Sequence, residues 1–438
     1  MTQILDEEAV ESQLDSLEEN LPPLPSAEFI TGEAGTGKTW LVKERARRYP
    51  GHVLCATPGI AAVNLGEGVT TINSLLKYFD TASLRDSWTQ GNLERIVMGL
   101  ARSGVRQIVL DEVSMLDGEQ LTIITATIDA VNERLADAGE ATIGLTLTGD
   151  YCQLPPVKAK FAFEVEEWQK YAQNITKLTE VRRQADKPFV SALGHARKGN
   201  GKEAMEFFKS ATGFQQQTDY DFNGTTLLAK NDEVDKFNFL RMGKLQTEKI
   251  QFKSTRWGKE RTEWKNIPET LEIKINALVM VLSNKSGEQK GQLVYANGDL
   301  GTVVEVDSSG APWVKLQRNS QVVKVEYVTR NNKIPLEPGR RKELRAEGKE
   351  ELIADKYEII GGVTYMPLRV AYAATVHKSQ GLSLDNVQID FRSSFFAQPG
   401  MGYVALSRCR TAQGLRLVGN ENTFVSRMKM SPKVKEWV

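Results

Sequence analysis

The sequence predicts an α/β fold of two P-loop-type lobes with parallel sheets, a small insert in the first lobe and a β-barrel insert in the second. Three observations carry that expectation. From residue 26, short apolar runs alternate with helical stretches (AEFIT, WLVKERARR, HVLCAT, IAAVNL, RQIVLDE, EQLTIITATIDAVNERL, TIGLTLTGD), the pattern of a parallel sheet wrapped by helices. The alternation returns at 224–242 (GTTLLAKNDEVDKFNFLRM) and later in LRVAYAATVHKSQGLSL, NVQIDF and LRLVG. Between these regions, 271–305 and 312–328 show short β-type alternation with an Asn297-Gly298 turn signal, as a small barrel would.

Length and composition agree with several folded units. A chain of 438 residues exceeds what one hydrophobic core fills. Its 40% apolar and 26% charged residues match an ordinary enzyme and exclude a disordered chain. Basic and acidic residues balance at 56 each, which leans against a DNA-binding protein and requires any nucleic-acid contact to be local. Cys55, Cys152 and Cys409 are isolated, and with only three histidines neither a disulfide frame nor a zinc site is supported; the expected compartment is reducing. There is no run of eighteen apolar residues and the opening is acidic, so a cytoplasmic protein with no membrane partner is expected.

Taken in order, residues 1–25 read as an acidic helix and linker, with Leu5, Val10, Leu14 and Leu17 near helical spacing before LPPLP; a solvated tail is the alternative. Residues 26–178 form the first lobe, with an insert at about 77–104. The second lobe is split into 179–245 and 367–438 by the barrel at 246–366. Within the barrel region the charged stretch at 330–352 reads as a solvated face or loop, with a nucleic-acid contact as the alternative.

In open α/β sheets ligands bind beyond the carboxyl ends of strands. There, between a strand-like and a helical run, stands GEAGTGKT at 32–39, which has the spacing and context of a P-loop. Its residues, Gly32, Glu33, Ala34, Gly35, Thr36, Gly37, Lys38 and Thr39, would wrap the phosphates of ATP. The glycines let backbone N–H groups turn inward at a helix N-terminus, Lys38 meets the outer phosphates, and the Thr39 hydroxyl ligates Mg²⁺. A chance glycine-rich turn would lack that flanking strand and helix.

Farther on, QIVLDEVSML sets Asp111 and Glu112 directly after a buried-type strand. Asp111 suits the magnesium shell and Glu112 the attacking water, because phosphoryl transfer depends on charge neutralisation and positioning. Read alone, such a pair is a helix N-terminal charge. Loop and acids together still admit a small-molecule kinase.

Further blocks decide among these enzymes. CATPGIAAVNL (55–65), TTINSLL (70–76), GDYCQLPPV (149–157), LTEVRRQ (178–184), AYAATVHKSQGLSLD (371–385) and YVALSRCR (403–410) resemble, in this order, the motifs of superfamily 1 DNA helicases of the RecD and Dda class that includes the PIF-type enzymes. The resemblance spans residues 30–415 and implies two RecA-like lobes. It implies Gln153 as sensor of the γ-phosphate, and Arg183 and Arg408 reaching that phosphate from the second lobe, with Gly381 beside the nucleotide. Arg182 is a close rival for the Arg183 role. An arginine contributed across a cleft acts only when the lobes close, which turns hydrolysis into motion.

The resemblance further places Thr57, Pro58, Thr71, Asn73, Thr375, His377 and Lys378 along a single-stranded DNA track. Such residues hold a backbone without reading bases; strand-end or helix-cap chemistry is the plainer reading of each. YANGDLGTV (295–303) resembles the family's Src-homology-type barrel, and 5′ to 3′ travel comes from the resemblance alone. Departures exist too. Asn73 stands where many relatives have histidine, and Gln13 lacks the surroundings of an adenine-reading glutamine motif. Phe79 and Trp88 are candidates for a duplex-splitting pin, or for core packing.

The expectation is therefore an ATP- and Mg²⁺-dependent helicase acting on single-stranded DNA and duplex junctions, as a monomer, with replication or recombination proteins as its partners. A translocase or clamp that remodels bound proteins without opening duplex is the alternative. An NTPase unrelated to nucleic acid is a third reading, motivated by the zero net charge.

Overall fold

A computed structural model describes residues 26–437 apart from 67–68, 261–263, 265–266, 284, 287–292, 296–298, 318, 336–338 and 355–356. The expected acidic helix at 1–25, Gln13 and the Asn297-Gly298 turn lie outside the described residues.

The first lobe is built on a six-stranded sheet, in the spatial order Thr70–Thr71, His52–Ala56, Gln107–Asp111, Gly144–Gly149, Ala27–Gly32, Ile175–Leu178. All its pairings are parallel. Strands buried on both faces read as continuous apolar runs, which is how IVL and GLTL stand in the sequence. Alternate residues feed opposite cores. Phe29, Ile108 and Leu110 join a core with helix Gly118–Asp137, while Ile30 and Val109 join one with Val42, Ala61 and Ala62 on the other face.

The insert is a helical pair, Thr81–Thr89 and Asn92–Arg102, whose Leu84, Leu93, Val97 and Ala101 extend the first of those cores. It is thus an outgrowth of the lobe's own packing. Asp80 opens it with a reciprocal cap, its side chain accepting from the Ser83 amide at 2.8 Å.

The second lobe carries a five-stranded parallel sheet in the order Ala373–Thr375, Thr225–Leu228, Val387–Asp390, Leu415–Val418, Phe214–Gln215. Between its halves lies antiparallel β-structure. A five-stranded sheet (Val322–Lys324, Pro312–Leu316, Leu300–Val306, Leu278–Val281, Leu368–Val370) and the pair Lys249–Lys253 with Thr270–Lys274 share one core, including Phe252, Ile273, Val279, Val303 and Val314. This sheet runs on to Val370, past the expected limit at 366, because Leu368–Val370 pairs with Leu278–Val281 before the chain re-enters the second lobe.

Of the solvated face or loop expected at 330–352, the structure shows a mostly exposed face carried on regular elements. It contributes to strand Val328–Pro335, which pairs with Tyr357–Tyr365, and to helix Arg340–Ala346. The charges answer one another instead of facing only water: Arg340 pairs with Glu358 at 3.1 Å and Glu343 at 3.2 Å over a buried Leu344. Cys55, Cys152 and Cys409 are all free and buried. Among the described residues no helix is long and apolar enough to cross a membrane.

Candidate functional site

The carboxyl ends of the first lobe's strands converge on one cleft. Strand Ala27–Gly32 delivers the P-loop and Gln107–Asp111 delivers the acidic pair, while Gly144–Gly149 leads to Gln153. A cavity of about 250 Å³ there is lined by Ala34, Gly35, Gly37, Lys38, Thr39, Trp40, Asp111, Glu112 and Gln153, and also by Arg183, Gly381 and Arg408. Residues more than 200 positions apart therefore share one pocket.

Within it, Lys38 Nζ donates to the carbonyls of Gly32 and Glu33 at 2.7 and 2.9 Å. Burial lowers the pKa of this amine, while the carboxylates of Asp150, Glu112 and Asp111 act to keep it charged. The Thr39 hydroxyl donates to Asp111 Oδ2 at 3.1 Å. Burial first, then the charge of Glu112, raises the Asp111 carboxyl to about 7. A hydroxyl and a carboxylate set side by side on a phosphate loop are hard oxygen donors of the kind magnesium takes, so these residues fit the ion.

Glu112 sits in the left-handed region (φ 57°, ψ 44°), a conformation a non-glycine residue adopts only when its surroundings hold it there. Two contacts do so. Its amide donates to Asp111 Oδ1 at 2.8 Å, and its Oε2 accepts from Gln380 Nε2 of the second lobe at 3.1 Å.

Of the two candidate arginines at 182 and 183, Arg183 lies in the cleft. Its Nη1 donates to the Ser407 carbonyl at 3.2 Å, and its amide, like that of Arg182, donates to the Gly35 carbonyl. Gly35 (φ 90°) must be glycine for this approach: a Cβ there would stand 2.7 Å from that of Arg183. The Arg182 side chain is over half exposed and lies above the Trp40 ring.

Arg408 is fully buried, donating to the carbonyls of Val404 (2.9 Å) and Leu382 (3.4 Å) and to the Ser407 hydroxyl (2.8 Å). Burial and then the neighbouring Arg183 charge lower its pKa to about 9. The buried Arg408 and the half-buried Arg183, whose hydrogen bonds among the described residues run to neutral oxygens, are poised for an anion.

The expected DNA-contact residues fall into two groups. Thr57 and Pro58 follow strand His52–Ala56, and Thr71 packs near Gly59 at the start of the next helix. The Thr71 hydroxyl caps helix Ile72–Leu75 through the Ser74 amide (3.2 Å), and Asn73 Nδ2 donates to the Phe79 carbonyl (3.1 Å). Both therefore carry local scaffolding. On the second lobe, Thr375, His377 and Lys378 line a cavity of about 490 Å³ together with Lys230, Asn231 and Phe395. Phe79 is 71% exposed against 39% for Trp88, so Phe79 is the freer of the two rings.

Sequence reasoning missed Trp40, Gln380 and Tyr403. The first two adjoin Thr39 and Gly381, and adjacency in those blocks was their available signal. Trp40, 41% exposed on the cleft wall, offers a ring face beside the phosphate loop.

A family model described as an AAA domain matches residues 11–219. The chain is 30% identical over 405 residues to the ATP-dependent DNA helicase Pif1 of Bdellovibrio bacteriovorus, covering 89% of this chain and 84% of that protein. It is 31% identical over 418 residues to the ATP-dependent DNA helicase PIF1 of Rattus norvegicus, covering 91% of this chain. Against the Psychrobacter and rat relatives it spans 65% and 59% of their length. Among solved structures, the Pif1 helicase from Candida albicans superposes with a TM-score of 0.70 at 24% identity, over 100% of this chain and 99% of that one.

Proposed function

We propose, because this chain belongs to the Pif1 family of ATP-dependent DNA helicases, that it is an ATP-driven motor that travels 5′ to 3′ along single-stranded DNA and opens duplex. One observation carries the reading: the cleft that gathers the P-loop, Asp111, Glu112 and Gln153 also takes Arg183, Gly381 and Arg408 from the other side.

In this reading the P-loop amides and Lys38 hold the triphosphate, and Glu112, steadied by Gln380, orients and deprotonates the attacking water. Thr39 and Asp111 would hold Mg²⁺, which when bound neutralises charge on the phosphates. Arg183 and Arg408 meet the charge that develops at the γ-phosphate, so binding draws the lobes together and hydrolysis with phosphate release lets them part. The partly exposed ring of Trp40, on the cleft wall beside the phosphate loop, is available for stacking on the nucleotide.

The single strand runs over Thr57, Pro58, Thr71 and Asn73 on the first lobe and over Thr375, His377 and Lys378 on the second. Hydroxyls, the Asn73 amide and the Lys378 ammonium would hold its backbone locally, as a molecule of zero net charge requires. Phe79, tied to Asn73 through its carbonyl, serves as the wedge at the junction. ATP turnover with and without oligo-dT, together with strand displacement, tests the proposal. Turnover unaffected by the oligonucleotide would overturn it.

A further inference from the structure

A buried chain of polar groups joins the lobes beside the P-loop, and apart from the influence of Asp150 on the Lys38 amine none of the roles above uses it. The Ala34 amide, inside the phosphate loop, donates to the Tyr403 hydroxyl at 2.8 Å. That hydroxyl donates onward to Asp150 Oδ2 at 3.3 Å. Asp150, fully buried, also receives Arg197: Nη2 lies 3.0 Å from Oδ1, and Nε lies 3.3 Å from both oxygens. Arg197 Nη2 reaches the Trp437 carbonyl as well, at 2.9 Å.

Ala34 and Asp150 belong to the first lobe; Tyr403 and Arg197 stand on helices Met401–Leu406 and Lys187–Arg197 of the second. Burial acts against the Arg197 charge, but the Asp150 carboxylate outweighs it and raises its pKa above the usual arginine range. Arg197 thus makes a buried salt bridge that reaches both carboxylate oxygens of Asp150, a rigid support for the phenol.

The surroundings show what this support would set. The Asp150 carbonyl accepts from the Gln153 amide (2.9 Å) and its Oδ1 from the Cys152 amide (3.1 Å), so Asp150 also shapes the turn that carries Gln153. The helix bearing Tyr403 leads within two residues to Arg408. At its start Gly400 (φ 78°) lies so close to Gln153 that a Cβ would stand 2.3 Å from that carbonyl oxygen.

We propose that Tyr403 is a positioning residue for ATP hydrolysis: its hydroxyl, held by Asp150 and Arg197, fixes the P-loop backbone against the helix that presents Arg408. The contact acts as a pivot, so that closure brings Gln153 and Arg408 to the phosphates in register. This inference rests on the reading of the cleft as an ATPase site.

Tyr403→Phe removes the hydroxyl and keeps the ring. It is expected to lower kcat for DNA-stimulated ATP hydrolysis roughly ten-fold, the effect of one lost buried hydrogen bond, while KM for ATP moves less than about two-fold. Combined with Arg408→Lys the losses should fall short of their product, since Tyr403 acts through Arg408. An unchanged kcat, a fall in kcat matched by the loss of folded protein in thermal unfolding, or fully multiplicative losses would overturn the proposal. Wild-type protein is measured first with and without oligo-dT. If it does not hydrolyse ATP the ATPase reading itself fails, whereas an active wild type beside an equally active Tyr403→Phe overturns only the pivot.

Discussion

Gln380 Nε2 donates to Glu112 Oε2 at 3.1 Å across the cleft, joining the second lobe to the acidic pair of the first. Gln380 is fully buried, and Glu112 stands on left-handed backbone. A carboxylate held that firmly is aimed before the water arrives.

Glu112→Gln is expected to keep ATP binding and to slow hydrolysis about a hundred-fold to a thousand-fold, as the water loses its base. Gln380→Ala, which frees the carboxylate without removing it, should cost about ten-fold in kcat. Single-turnover hydrolysis beside equilibrium nucleotide binding separates the steps. A normal rate in Glu112→Gln would move the water-activating role elsewhere.

Lys38→Ala should abolish turnover and weaken nucleotide binding together, because the amine, pressed against the P-loop carbonyls, is the loop's own cation. Fluorescent-nucleotide titration reads the binding loss. Retained turnover would mean that the loop does not hold the triphosphate.

The two adjacent arginines should differ sharply. Arg183→Ala and Arg408→Ala are each expected to lower kcat about a thousand-fold. Arg182→Ala, whose side chain lies outside the cleft, should stay within about two-fold of wild type. Steady-state ATPase rates decide it, and a larger loss at Arg182 than at Arg183 would reverse the assignment.

Phe79→Ala should reduce strand displacement at least about ten-fold while leaving DNA-stimulated ATP turnover intact, because a wedge touches the junction and not the phosphates. Trp88→Ala, more covered, should leave both intact. Equal losses in displacement and turnover after Phe79→Ala would make the ring a packing element.

The phosphate end of the site was legible in the sequence because its chemistry is local: the P-loop residues are contiguous, and Asp111 and Glu112 close a strand whose apolar run is unmistakable. The two lobes were legible for the same reason, since parallel strands buried on both faces leave continuous apolar runs. Tyr403 and Asp150 were not legible as partners, because 253 residues separate them and only folding reveals the contact. The strand and helix hidden at 330–352 escaped because their charges pair across elements, as Arg340 does with Glu358 of strand Tyr357–Tyr365, and leave no apolar period to read. Thr71 and Asn73 carry a helix cap and a turn contact whatever else they touch, so their residue type alone did not separate scaffold from track.

Strand displacement from matched 5′-tailed and 3′-tailed duplexes, run beside ATP turnover with and without oligo-dT, goes furthest towards deciding whether the cleft drives a motor. The expected result is turnover raised by the single strand and ATP-dependent release from the 5′-tailed duplex. Turnover indifferent to DNA, or no release from either duplex while ATP is consumed, would contradict it.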